Sequence, residues 1–139
     1  MRAVIDTNVI ISALFWGGQP RRVVDHAASG RFQAITCPEL LIELEDVLAE
    51  DFGVPQERVD LILRDVLSFS ELIAPIQEIE VPVRDHADVK VIACAVAGRA
   101  DFVVTGDRDL LALGEAHGIR VATVRAFLQA YHGKRPHSA

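Results

Sequence analysis

Long apolar runs are missing from this sequence. No stretch approaches the ~20 consecutive apolar residues of a membrane-spanning helix, so no membrane span is expected. Cysteine is scarce. Cys37 and Cys94 stand far apart, without the spacing of a zinc site, and read as buried thiols suited to a reducing compartment. Basic residues are outnumbered, 14 Lys and Arg against 20 Asp and Glu. The net charge of -6 argues against a protein that grips nucleic acid by bulk electrostatics, because phosphate contacts need cations. It leaves room for an enzyme that gathers acids around divalent metals, whose charge offsets part of the excess, and for a basic partner. A signal-peptide core is lacking too, since Asp6 interrupts the opening apolar residues; this predicts a cytoplasmic protein.

What is present is an alternation of strand-like and helix-like segments without internal repeats. A chain of 139 residues fits one domain and can bury a sizeable core. We expect that domain to span residues 1–132, with a polar, disordered tail over 133–139. Ala3 to Ile5 is a short strand candidate. Val9 to Leu14 is ambiguous by periodicity, but the Asp6-Thr7-Asn8 step before it looks like a helix start. Gly17-Gly18-Gln19-Pro20 reads as a loop before a helix that ends at Gly30. Phe32 to Thr36 reads as a strand. Pro38 opens a helix with Leu40, Leu41, Leu44, Val47 and Leu48 as its apolar stripe. Pro55 opens another helix. Leu72-Ile73 and Ile79 to Val83 are short extended candidates. A helix from about Asp88 to Ala97, a strand over Phe102 to Thr105, a short helix through Leu110, a strand over Ile119 to Ala122 and a helix ending near His132 complete the chain. The alternation predicts a three-layer α/β/α sandwich with a mainly parallel central sheet. In such sheets ligands gather at the carboxyl ends of the strands.

Two acids fall at that edge. Asp6 follows the first strand and Asp107 the strand over Phe102 to Thr105. Asp88 sits near the start of a buried helix. Glu43 lies about 100° from the centre of its helix stripe, and Glu45 lies equally close on the opposite edge, so geometry leaves the two tied. Each acid has a structural explanation. Asp6 or Asn8 caps a helix, Asp85 and Asp88 have capping-box-like spacing, Asp107 is a turn or cap residue, and Glu43 is one of several solvated acids. Jointly they point elsewhere. Clustered carboxylates repel one another unless protonated or neutralised by cations, and oxygen-only ligands suit Mg²⁺ or Mn²⁺. Such metals activate water and steady charge on a phosphodiester.

Ala3-Val4-Ile5-Asp6-Thr7-Asn8-Val9 resembles the opening motif of PIN-domain nucleases. Leu40-Leu41-Ile42-Glu43-Leu44 resembles their second acidic position, which favours Glu43 over Glu45. Arg84 to Ala93 resembles the third, and Ala100 to Leu110 the fourth. The resemblance covers roughly residues 1 to 130. It implies an acidic metal site of Asp6, Glu43, Asp88 and Asp107 that carries catalysis, with Asp109 a further, more variable ligand. Thr7, Asn8 and Thr105 match polar positions that orient the acids or the activated water. It also implies Mg²⁺- or Mn²⁺-dependent endoribonuclease activity. Within the family the sequence resembles the VapC-like toxins of prokaryotic toxin–antitoxin pairs, which often dimerise and are held inactive by a small antitoxin. One departure stands out: where relatives often carry two adjacent acids in the third motif, Ala87 precedes Asp88 here, with Asp85 three positions back as its expected cap.

Arg21, Arg22, Lys90 and Arg108 are candidate RNA contacts, set against the commoner role of scattered surface bases. Trp16 reads as a core residue first, a dimer contact second and an RNA-stacking residue third. The five histidines show no ligand spacing. Two other functions compete. A strand ending in Asp also opens phosphatases of the haloacid dehalogenase type and receiver domains. The former need a second Asp where Asn8 stands, and the latter need an acid set that cannot be placed here. The other alternative is a catalytically silent PIN-like module acting through a protein partner.

Overall fold

The structure, a computed structural model, describes residues 1–74, 79, 81 and 86–133. Of the expected tail over 133–139, Gly133 belongs instead to the last helix and residues 134–139 lie outside the described residues, as do the cap candidate Asp85 and most of the 79–83 segment. Strands β1 (Arg2–Ile5), β2 (Gln33–Thr36), β3 (Ser70–Leu72), β4 (Phe102–Val104), β5 (Glu115–Ala116) and β6 (Ile119–Ala122) form one sheet. Its order is β3-β2-β1-β4-β6-β5, and every pairing is parallel except the β5–β6 hairpin. Among the described residues seven α-helices accompany it: α1 (Thr7–Trp16), α2 (Gly18–Ala28), α3 (Pro38–Asp46), α4 (Gln56–Phe69), α5 (His86–Ala97), α6 (Arg108–Leu111) and α7 (Val124–Gly133). No helix among the described residues is long and apolar enough to cross a membrane.

The central strands are apolar on both faces, as a sheet covered by helices on each side requires. Ala3, Ile5, Phe102 and Val104 pack into one core with Val9 and Ile10 of α1, Val23 of α2, Val59 of α4 and Phe127 of α7. Val4, Ile35 and Val103, pointing the other way, pack into a second core with Val91, Ile92 and Ala95 of α5 and Leu110 of α6. This is the expected three-layer sandwich. Helix α3 straddles the layers: Leu40 belongs to the second core, Leu44 to the first. It touches both α1 and α5.

Four local features depart from expectation. The segment from Gly17 to Pro20 is not a loop, because α2 starts at Gly18. Gly17 and Gly18 take φ of 70° and 64°, a left-handed conformation that glycine adopts without a Cβ penalty. Two such residues turn the chain within one step, and Pro20 falls in the first helical turn, where its missing N–H is not needed. The helix from Pro38 does not stay α-helical, since Val47–Asp51 forms a π-helical turn. The two-residue strand β5 went unforeseen, as it is too short for alternation to register. The third strand is Ser70–Leu72, two residues earlier than expected, with Ile73 N–H donating to the Thr36 carbonyl at 2.8 Å just beyond it.

Candidate active site

Strands β1 and β4 are neighbours, with Ile5 level with Val104. Their ends therefore deliver Asp6 and Thr105 side by side, both buried. The Asp6 N–H donates to the Val104 carbonyl at 2.9 Å, fixing the step out of the sheet. The Asp6 carboxylate is held from three directions. Its Oδ1 accepts from the Thr7 N–H at 2.8 Å, and its Oδ2 accepts from Thr105 Oγ1 at 2.7 Å and Asn8 Nδ2 at 3.2 Å. The same small groups tie in the next loop. Thr105 Oγ1 accepts from the Asp107 N–H at 3.0 Å, and Asn8 Oδ1 accepts from the Gly106 N–H at 3.2 Å. Asp107 Oδ1 accepts from the N–H groups of Asp109 and Leu110 at 2.7 and 3.3 Å, which caps α6. Asp6 is likewise the N-cap of α1. Asp6 and Asp107, which cap the two helices, thus also line one cleft.

That cleft has a volume of about 360 Å³ and lies at the carboxyl edge of the sheet. Asp6, Thr7 and Asn8 from α1 and its cap, Glu43 from α3, Asp88 from α5, and Asp107 line it. Glu43 faces this space, whereas Glu45 accepts from Gln56 Nε2 of α4 at 3.3 Å. Of the two, Glu43 is the one that lines the cleft. One oxygen from each of Asp88, Asp107 and Asp109 lies within 4.8 Å of the others. Asp109 is therefore part of the tightest acidic convergence among the described residues, while Asp6 and Glu43 form the adjoining wall. Burial pushes the Asp6 carboxyl above its ordinary value of 3.8; hydrogen bonds from Thr105 and Thr7 oppose this, and the charges of Glu43 and Asp107 add to it.

None of the described lining residues is Lys, Arg or His. An all-oxygen donor set of clustered carboxylates fits a hard divalent cation such as Mg²⁺ or Mn²⁺. The four candidate RNA-binding bases stand outside the cleft. Arg21 pairs with Asp25 along α2 at 3.1 Å. Arg22 borders a separate cavity with Arg125 and Gln129. Lys90 and Arg108 are exposed, on the helices that carry Asp88 and follow Asp107. Ser12, which also lines the cleft, was not singled out from the sequence; its position four residues after Asn8 places it on the same helix face.

Trp16 is not a core residue. It is 71% exposed and packs against Phe15 and Phe52.

By sequence, no curated protein matches. The fold is shared with solved structures at low identity. A chain of VapBC2 from Rickettsia felis, crystallised bound to a DNA fragment from its promoter, is similar with a TM-score of 0.64 and 14% identity, covering 88% of this chain and 98% of that one. PAE2754 from Pyrobaculum aerophilum is similar with a TM-score of 0.64 and 17% identity, covering 96% and 91%. The family model described as the PIN domain matches residues 2–109, a stretch that starts with β1 and closes at Asp109, so that all the acids of the cleft fall inside it. On that match the chain belongs to the PIN domain family.

Proposed function

We propose that the protein is a metal-dependent endoribonuclease, and that it is the toxin of a toxin–antitoxin pair. The observation that carries the catalytic reading is the convergence of Asp88, Asp107 and Asp109 beside the triply hydrogen-bonded Asp6 in one cleft. Asp6, Glu43, Asp88, Asp107 and Asp109 would hold Mg²⁺ or Mn²⁺. Such an ion, when bound, polarises a phosphodiester and activates water at neutral pH. The chain's own part is positioning. Thr105 and Asn8 lock the Asp6 carboxylate in one orientation and bind the 105–107 loop to it, so Asp6 and Asp107 are held beside each other. Preorganised charge of this kind needs no rearrangement as the transition state forms.

The toxin reading rests on the resemblance to VapC-like proteins, and the fold shared with a chain of the VapBC2 complex is in keeping with it. It implies an RNA substrate, a cognate antitoxin, a homodimer and a cytoplasmic setting. Two experiments test it. RNA cleavage should require Mg²⁺ or Mn²⁺ and stop with EDTA, and Asp6→Asn or Asp107→Asn should lower kcat by at least about a hundredfold with the fold retained by circular dichroism. Undiminished cleavage by both variants would sink the site assignment. Binding of metal without any cleavage would instead favour a silent module. For the toxin role, expression of the wild type should arrest growth, and co-expression of a small protein encoded beside it should relieve the arrest. Harmless expression of a nuclease-active wild type would count against a toxin.

A further inference from the structure

Trp16 ends α1 with most of its surface in solvent, yet its ring is held in place. Its centroid lies 5.8 Å from Phe15 and 6.2 Å from Phe52, at tilted and edge-on angles, while Phe15 and Phe52 stack at 4.5 Å with planes 14° apart. Neither neighbour stacks on the face of the indole. Three rings from two elements thus make one surface patch.

Two routes connect that patch to the acidic cleft. Along α1, Thr7, Ile11 and Phe15 form one i, i+4 row and Asn8, Ser12 and Trp16 the next. The first two members of each row line the cleft. Helical side chains lean toward the helix N-terminus, which here is the cleft end. Opposite α1, Val47 lines the cleft and opens the π-helical turn that delivers Phe52. Asn8 and Trp16 are about 12 Å apart along the helix. A strand spaced by ~3.4 Å or more per nucleotide covers that within about four nucleotides.

We propose that the Phe15–Trp16–Phe52 patch is a base-stacking subsite for single-stranded RNA, taking a nucleobase a few nucleotides from the scissile bond. This rests on the nuclease reading. Charge favours a base as the occupant. A chain of net charge -6 whose cleft is lined by no described cation gains little affinity from phosphates. Stacking on an aromatic face supplies affinity without a cation and tolerates any base.

Trp16 is the single tryptophan, so intrinsic fluorescence reports on the patch. Rapid mixing of the wild type with a single-stranded oligoribonucleotide in Mg²⁺ should quench it before cleavage. An oligonucleotide with abasic sites or a duplex RNA should quench it far less. Trp16→Ala should raise KM about tenfold with kcat nearly unchanged, and Trp16→Phe should recover most of the loss; because the residue is exposed, the melting temperature should hold. If Asp6→Asn abolishes cleavage while Trp16→Ala leaves KM untouched, the subsite is wrong and the nuclease reading stands. If the wild type neither binds nor cleaves RNA, both fall. Fluorescence that follows protein concentration or a protein partner, and not RNA, would overturn the subsite in favour of a protein interface.

Discussion

Asp6 shows how one side chain serves two purposes. As the N-cap of α1 it completes a helix, and as a buried carboxylate beside Glu43 and Asp107 it is costly to ionise. The folded state therefore holds the Asp6 proton more tightly than the unfolded chain does. Its contribution to stability is fully present below the ordinary value of 3.8 and is lost as pH rises through the raised folded value. In metal-free protein, the wild type should accordingly lose stability relative to Asp6→Asn as pH climbs from below 4 toward neutrality. Urea unfolding of the pair across that range measures the difference, and a flat difference would refute a raised carboxyl. The acids at strand ends were legible in the sequence because a parallel sheet dictates where such residues gather. Glu43 against Glu45 was not legible from helix periodicity, since it depends on α4 supplying Gln56 to one edge of α3 and not the other.

At the scale of elements, alternation of strands and helices could be read because the central strands are apolar on both faces and the helices are punctuated by Pro38, Pro55 and Gly98. Boundaries were harder where conformation depends on neighbours. The abrupt α1–α2 junction needs two left-handed glycines in succession, a combination that the sequence also allows as a loop. Gly98 follows α5 for a packing reason. A Cβ there would sit 2.6 Å from Ile35 Cγ2 of β2, itself fully buried, and 3.2 Å from the Cys94 carbonyl. The Gly98 carbonyl also accepts from Arg2 Nε and Nη2 at 2.9 and 2.7 Å. Gly98→Ala should thus push α5 away from the sheet and cost about 1–3 kcal/mol. Chemical denaturation would read this as a lower midpoint, and an unchanged midpoint would mean that the second core is looser than drawn.

The whole molecule carries a charge of -6 with several of its acids concentrated at one edge. Divalent cations that bind the folded state alone should raise the melting temperature of the wild type, by the equivalent of about 2.7 kcal/mol at a hundredfold excess over Kd. The shift should vanish in Asp107→Asn or with EDTA. Because no described residue lining the cleft is a cation, RNA affinity should depend weakly on monovalent salt, with a slope of log K against log salt shallower than about -3. A steep slope would reveal a basic RNA path outside the described lining of the cleft. The sheet order has one further consequence. β1 is made first and waits for β4, some hundred residues later, before Asp6 meets Thr105 and Asp107. During translation the acidic site cannot close until synthesis has passed Asp107. Were the finished protein to destroy RNA, its own message would be shielded from each nascent copy until that point.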